Sequence, residues 1–139
     1  MKPFSLLLSL LLFAACDFAT SDNGQIDGNW QMVRVDTVGG GHADVKDQQI
    51  FYAFQFHLLD VRSERLKRYY VFRFTHEGDS LKLGPAHDWT DRANPVVDSL
   101  PLLRPYGINQ ADEHFRIAGL DKDKLVLQSH TVALTFRRY

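Results

Sequence analysis

The chain has 139 residues, of which 45% are hydrophobic, and its formal charge of −1 comes from acidic and basic residues interspersed along it. This length suits one domain that is large enough to bury its own core. Because no basic run is present, the composition excludes the electrostatic footprint of a nucleic-acid-binding protein, and no nucleic-acid partner is predicted.

The first sixteen residues have the pattern of a bacterial lipoprotein leader. Lys2 precedes an apolar run over residues 4–13, and Ala14 and Ala15 precede Cys16, which is the only cysteine. The run is shorter than the roughly 20 apolar residues that a membrane-spanning helix needs. We therefore predict a signal peptide over residues 1–15, cleavage before Cys16, and lipid attachment at Cys16. The alternative is an ordinary secretory leader with a chance cysteine.

The leader also predicts a location and an organisation for the rest of the chain. The expected location is the bacterial cell envelope, where acyl groups on Cys16 hold the protein to a membrane, with the outer membrane favoured. Residues 16–27 are mostly polar and small, which predicts a flexible tether. The composition changes at Gly28, so we predict one domain over residues 28–139.

Short runs of aromatic and β-branched residues predict strands in the first half of this domain. The first strand is expected over residues 29–38. Residues 48–61 are predicted to form one strand with Tyr52, Phe54 and Phe56 on one face, although a helix also fits their spacing. Residues 69–76 place Tyr70, Phe72 and Phe74 on one side, and a tight turn then leads into a strand over residues 80–83.

The second half of the domain is predicted from its prolines and turn residues. Residues 84–107 contain four prolines, which predict a loop with one edge strand near residues 96–103. Asn109 with Asp112 is expected to cap a helical turn. Three closing strands are expected over residues 113–118, 124–129 and 131–138. Successive short strands with local turns predict an all-β fold, a small antiparallel up-and-down barrel, with a sandwich as the alternative.

Two ends of the domain resemble the lipocalin pattern. The motif Gly28-Asn29-Trp30 begins the first strand, and the chain ends in basic residues at Arg137 and Arg138. Residues 103–107 add to a similarity with small lipocalin-like bacterial lipoproteins. The resemblance implies a lipocalin-like β-barrel in which an arginine covers the tryptophan and closes one end. Strand alternation places Arg138 on the inward face with Phe136, so we predict that Arg138, not Arg137, contacts Trp30.

The barrel interior is predicted to be rich in aromatic side chains. An eight-stranded barrel holds either packed side chains or one small ligand. The sequence leaves both arrangements open. The residues that would line a ligand pocket are Tyr52, Phe54, Phe56, Tyr70, Phe72 and Phe74.

The sequence carries no sign of catalysis. His87, Asp88 and Asp91 form the densest group of metal-ligand types, but they lack the histidine spacing of a catalytic zinc site, so no metal is predicted. No serine lies in a nucleophile elbow, and the glycines at residues 39–41 precede neither a lysine nor a helix. We predict a protein that is not an enzyme and needs no cofactor.

Two functions fit these predictions. The first is a lipid-anchored, lipocalin-like protein that binds a small apolar or amphipathic ligand at the cell envelope. The second is a non-catalytic accessory or interaction subunit of an outer-membrane protein complex, with a filled barrel. In the second case, Trp89 and Tyr106 in the proline-rich segment are the predicted contact residues.

Overall fold

The computed structural model describes residues 21–139, and the predicted signal peptide and the lipid attachment at Cys16 lie outside the described residues. Eleven strands are present in this part of the chain. They are β1 (Gly28–Thr37), β2 (His42–Asp44), β3 (Ile50–Gln55), β4 (Leu58–Ser63), β5 (Arg68–Glu77), β6 (Ser80–Leu83), β7 (Ala86–Asp88), β8 (Val96–Val97), β9 (His114–Leu120), β10 (Lys124–Gln128) and β11 (Val132–Arg138).

Eight of these strands close into an antiparallel barrel. Each of the eight pairs with the next of the eight in chain order: β1, β3, β4, β5, β6, β9, β10 and β11. The last strand, β11, pairs back to β1. The predicted small up-and-down barrel is therefore confirmed. Closure leaves none of these eight strands with a free long edge, which a meander of this kind otherwise exposes.

The period-two pattern of β5 shows why these residues form a barrel wall. Tyr70, Phe72 and Phe74 are buried, whereas Arg73 and Thr75 between and beyond them are exposed. Alternating side chains of a strand point to opposite faces, so the aromatic side chains enter the core and the polar ones face solvent. The same alternation over residues 132–138 places Arg138 on the inward face of β11.

The strand predicted over residues 48–61 is wrong, because two strands occupy this region. Phe56 has a φ of +54° and lies in the turn between β3 and β4. The two strands pair directly, from Ile50 with Ser63 to Gln55 with Leu58. The aromatic alternation continues to Phe56 in the sequence, but no Gly, Asn or Pro marks the turn, and this is why one strand was the simpler prediction.

The proline-rich segment contains more regular structure than its prediction. It holds two short strands, β7 (Ala86–Asp88) and β8 (Val96–Val97), where one edge strand over residues 96–103 was expected, and residues Leu100–Leu103 form one helical turn, α1. The predicted helical turn at Asn109 and Asp112 is absent from the described structure. Instead, the buried Glu113 carboxylate accepts a hydrogen bond from the Asn109 backbone N–H at 2.8 Å, which makes a capped turn without a helix.

The part of the predicted tether that the structure describes is packed against the barrel. Residues Gly24–Ile26 form a 3₁₀ turn, and the Ile26 side chain is fully buried. The prediction of an unpacked tether therefore fails for residues 21–27. It overlooked Ile26, whose burial repays part of the entropy of ordering this polar segment.

Helices in residues 21–139 are short. None of them has the length and the apolar character required to cross a bilayer.

Candidate functional site

Trp30 and Arg138 meet at one end of the barrel, as the sequence predicts. The two residues are paired in register between β1 and β11, and the Arg138 guanidinium carbon lies 3.8 Å from the centroid of the Trp30 ring. The Trp30 side chain is fully buried, and its indole N–H donates to the Ile26 carbonyl at 2.8 Å. We call this end, formed by Trp30, Arg138 and residues 24–28, the closed end.

The Arg138 guanidinium also donates hydrogen bonds to three backbone carbonyls in two segments of the chain. It donates to the carbonyls of Gln25 and Asp27 at 2.7 Å and of Lys122 at 2.9 Å. Gly28 permits this arrangement, because its φ is +112° and a Cβ atom there would meet the Arg138 Nη1 at 3.0 Å. The glycine of the Gly-x-Trp motif therefore makes room for the arginine that covers the tryptophan.

Arg138→Met is expected to lower the free energy of unfolding by about 1–3 kcal/mol, because it removes the contact with Trp30 and the charge-assisted hydrogen bonds. Arg137→Met is the matched control. Arg137 is exposed and donates only to the Gln31 side chain, so a change within about 0.5 kcal/mol is expected. Urea unfolding of the two variants measures both values. Equal losses would contradict the specific role of Arg138.

The barrel interior is filled by the predicted inward residues. Tyr52, Phe54, Tyr70, Phe72 and Phe74 are all buried, and each is at most 3% exposed. Ring centroids lie 4.8 Å apart for Tyr52 and Phe136 and 5.5 Å apart for Phe54 and Phe74. These spacings are those of aromatic pairs in contact. The five side chains therefore form a packed core.

Phe56 is the exception among the predicted ligand-binding residues. Its side chain is 40% exposed, because the residue lies in the β3–β4 turn rather than on the inward face of a strand. Its predicted position inside the barrel is wrong.

The end opposite the closed end is filled by the chain itself. Residues 103–108, which we call the mouth plug, bury Leu103, Tyr106 and Ile108 against the core. The Tyr106 ring meets the Tyr70 ring edge-on at 5.2 Å, and the Tyr52 hydroxyl donates to the Tyr106 carbonyl at 2.5 Å. Burial raises the pKa of both Tyr52 and Tyr106. Tyr106 is therefore a core residue, and its predicted role as an exposed contact residue is wrong.

A cleft of about 300 Å³ lies on the outside of the barrel wall. It forms because β7 leaves the barrel path and pairs with β5, with Val71 opposite His87. The short arm made by β7 and β8 then stands beside the outer face of β4 and β5. The residues that line this outer cleft are Leu58, Val71, Arg73, Pro85, His87, Trp89 and Asn94.

The outer cleft runs along β5, and the pairing of β5 with its neighbours shows how long it is. Leu58 is paired with Arg73 at one end, and the Trp89 backbone N–H donates to the Tyr69 carbonyl at the other end. The four residue steps from Tyr69 to Arg73 span about 13 Å in a strand. Trp89 is 61% exposed and Leu58 is 44% exposed, so both ends present apolar surface to solvent.

The charges around the outer cleft favour an anion. Arg73 makes no ion pair with any residue in the described range 21–139. Of the acidic groups of the arm, Asp88 already pairs with Arg68 at 3.5 Å, and the Asp91 carboxylate accepts the Ala93 backbone N–H. On the neighbouring strand, desolvation raises the pKa of Asp60, which makes its ionised form less favourable.

The structure does not bring His87, Asp88 and Asp91 together as a metal site. Asp88 is engaged by Arg68 and by the Thr90 backbone N–H, and the Asp91 carboxylate accepts the Ala93 backbone N–H. Within residues 21–139, no three His, Cys, Asp or Glu side chains form a group that could hold a metal ion.

Sequence reasoning found the closed end but missed the outer cleft. The signal was present in the outward positions of β5, where Val71 interrupts a polar face, and in Trp89, an aromatic residue of the proline-rich segment. Connecting them required the pairing of β7 with β5, which joins residues that are about 17 positions apart across an intervening hairpin.

The barrel is closed, antiparallel and eight-stranded, and a tryptophan and an arginine stack at one end of it. These features define a lipocalin-like barrel protein. The chain belongs to the Lipocalin-like domain family, whose sequence model matches residues 10–139. The resemblance proposed from the sequence is thereby confirmed. Families of this kind are generally non-catalytic binding proteins.

Two solved structures share the fold. A lipocalin-like protein from Bacteroides uniformis is 15% identical with a TM-score of 0.63, and the match covers 84% of this chain and 100% of that one. An uncharacterized protein from Bacteroides eggerthii is 20% identical with a TM-score of 0.59, and the match covers 81% of this chain and 98% of that one. No curated protein matches the chain.

Proposed function

We propose that this protein is a lipid-anchored, non-catalytic binding protein of the bacterial cell envelope, and that it holds a small amphipathic ligand in the outer cleft. The observation that carries the proposal is the position of an exposed tryptophan, an apolar wall and an arginine around one cleft of about 300 Å³. Sites for small molecules combine such apolar walls with a few placed polar groups. The packing of the interior favours this outer location over the inside of the barrel.

The lining of the outer cleft indicates the chemistry of the ligand. Leu58, Val71 and Trp89 supply apolar contact area, and Arg73 supplies a cation beside it. A guanidinium binds a carboxylate or a phosphate group in a bidentate manner. We therefore expect an anionic amphiphile, with its apolar part along the strand and its charged group near Arg73.

Decanoate is expected to shift the fluorescence emission of Trp89 to shorter wavelength, because the apolar chain displaces water from the ring. Trp30 is fully buried and should not respond, so a Trp89→Phe variant assigns the signal. Arg73→Gln should weaken decanoate binding about tenfold, which corresponds to about 1.4 kcal/mol. Binding of the neutral analogue decanol should be unaffected by this substitution.

Lys82→Gln is the matched control for this titration, since Lys82 is an exposed cation on β6 that does not line the outer cleft. Decanoate should bind this variant like the unmodified protein. Binding to the Trp89→Phe variant is followed through a protein signal other than tryptophan. If saturable binding persists in this variant and is not weakened in Arg73→Gln, the ligand binds elsewhere and the proposal is overturned.

Anchoring is proposed from the leader sequence. Cys16→Ser should abolish lipid attachment, and the protein should move from the membrane fraction to the soluble fraction of cells that express it. Mass spectrometry of the N-terminus should lose the mass of the acyl groups. A protein that stays in the membrane fraction after this substitution would contradict anchoring through Cys16.

A second candidate function is the accessory or interaction subunit of an outer-membrane protein complex. The packed interior and the exposed Trp89 favour it, because a filled barrel acts through its surface. Mild crosslinking in cells followed by purification tests it. A repeated partner whose recovery is lost in Trp89→Ala would support this function, and recovery of no repeated partner would argue against it.

A further inference from the structure

We infer that the outer cleft lies against the phospholipid bilayer, so that the ligand of this site is a phospholipid of the membrane to which the chain is anchored. This inference rests on the proposed function, since it takes Cys16 as the anchor. It adds the source of the ligand and the orientation of the barrel.

Residues 21–23 contact the β3–β4 turn. The Ser21 hydroxyl accepts a hydrogen bond from the Phe56 backbone N–H at 2.9 Å, and the Asn23 side chain donates to the Phe56 carbonyl at 2.8 Å. Residues 21–23 are therefore fixed to the β3–β4 turn. Leu58, at one end of the outer cleft, is two residues beyond Phe56 in the chain.

Only a short length of chain separates Ser21 from the proposed anchor. Ser21 is the fifth residue after Cys16, and five residues reach at most about 17 Å even when fully extended. The β3–β4 turn must then remain within about 17 Å of the membrane surface. The Leu58 end of the outer cleft consequently cannot be directed far from the lipid.

The flank of the barrel that carries the outer cleft combines apolar and basic side chains. Phe56, Leu58 and Trp89 are exposed apolar residues, and aromatic residues of this kind favour the interface between water and lipid. Arg73 and His87 line the cleft among them, and Arg92 lines an adjoining cleft on the same arm. The guanidinium groups of Arg73 and Arg92 match the phosphates of lipid headgroups in charge.

Two acidic groups of the arm are already engaged, and desolvation raises the pKa of a third acidic group on this flank, Asp60 on β4. Asp88 pairs with Arg68, and the Asp91 carboxylate caps its own turn by accepting the Ala93 backbone N–H. The acidic residues Glu77, Asp79, Asp121 and Asp123 lie instead in or beside the β5–β6 and β9–β10 turns. The flank that carries Trp89 therefore combines apolar side chains with the guanidinium groups of Arg73 and Arg92, which form no ion pair within residues 21–139, and this combination favours contact with phospholipid.

The experiment uses the acylated mature chain, which begins at Cys16, in vesicles of phosphatidylethanolamine and phosphatidylglycerol, with and without bromine atoms on the lipid acyl chains. Brominated lipid quenches tryptophan only at close approach. Sedimentation with the vesicles reports anchoring, and the emission lost in brominated vesicles reports lipid contact. The Trp89→Phe variant isolates the signal of Trp30, which is buried.

We expect the protein to sediment with the vesicles and most of the Trp89 emission to be lost in brominated lipid, with the Trp30 emission unchanged. Leu58→Asp should restore most of the Trp89 emission while sedimentation is retained. Val38→Asp is the matched control, because Val38 is 60% exposed and follows β1, away from the closed end. It should leave the quenching unchanged.

The other outcomes overturn the inference in distinguishable ways. Sedimentation without quenching of Trp89 would leave the anchor in place and show that the cleft faces away from lipid. If Trp89 were also protected from iodide in that case, a second copy of the chain would be covering it. Failure to sediment would refute the anchor itself, whereas the decanoate titration tests the ligand site of the proposed function independently of any membrane.

Discussion

Trp30→Ala is expected to lower the free energy of unfolding by about 3–5 kcal/mol, the range for removing a large aromatic side chain from a core. The Trp30 ring is fully buried, stacks under the Arg138 guanidinium and donates its indole N–H to Ile26. The substitution removes the packing, the hydrogen bond and the aromatic partner of a cation together. Chemical unfolding of the purified domain measures the loss.

Trp89→Ala is the matched control for this prediction, because it removes the same side chain from a 61% exposed position. A surface substitution of this kind usually changes stability by no more than about 0.5 kcal/mol. Together the two tryptophans separate a structural role from a binding role. A loss for Trp30→Ala that is as small as the loss for Trp89→Ala would refute the closed end as a structural element.

Gly107→Ala is expected to lower the free energy of unfolding by about 2–4 kcal/mol, through backbone strain and overpacking. Gly107 ends the 3₁₀ turn of the mouth plug with a φ of +82°. A Cβ atom at this position would meet the two Cδ atoms of Leu134 at 2.6 Å and 2.8 Å. Leu134 is a fully buried core residue, so it has little room to move away.

Gly78→Ala separates the two causes of this loss. Gly78 has a φ of +59° in the β5–β6 turn, but a Cβ atom there would meet no other atom within 4 Å. Only the backbone strain of about 1–2 kcal/mol remains for that variant. Thermal unfolding of both variants should show the larger loss for Gly107→Ala, and equal losses would show that the mouth plug is not packed tightly against Leu134.

The barrel and its closed end could be predicted because their signals are local in the sequence. Alternation in residues 69–76 predicts a strand with Tyr70, Phe72 and Phe74 inside, and the structure places these side chains in the core. The contact of Arg138 with Trp30 follows from the alternation of one strand and the family resemblance. Both inferences require only that successive side chains of a strand point to opposite faces.

The errors arise where tertiary contacts outweigh local pattern. Residues 21–27 are polar enough to predict a tether, but the side chain of their single apolar residue, Ile26, is fully buried, and the Ile26 carbonyl accepts the Trp30 indole N–H. Tyr106 follows a proline in a segment with the composition of a loop, yet its ring fills the mouth of the barrel. The hydrophobic periodicity of the sequence predicts neither burial, because each side chain fills a space that is formed by strands distant in the chain.

The outer cleft depends on the same kind of long-range information. Its walls come from β4, β5 and the β7–β8 arm, and only the pairing of β7 with β5 brings Trp89 near Val71 and Arg73. The predicted ligand-binding residues were inward-facing positions of the strands, and in the structure all of them except Phe56 belong to the packed core. The outward faces of β4 and β5 carry the groups with unused binding capacity.

The measurement that tests this account most directly is the pair of indole N–H resonances of Trp30 and Trp89 in a proton–nitrogen correlation spectrum during a decanoate titration. The account predicts that the Trp89 resonance shifts and saturates while the Trp30 resonance stays in place. A shift of the Trp30 resonance with the Trp89 resonance unchanged would contradict the account. The ligand would then bind inside the barrel, where the packed core is expected to leave no room for it.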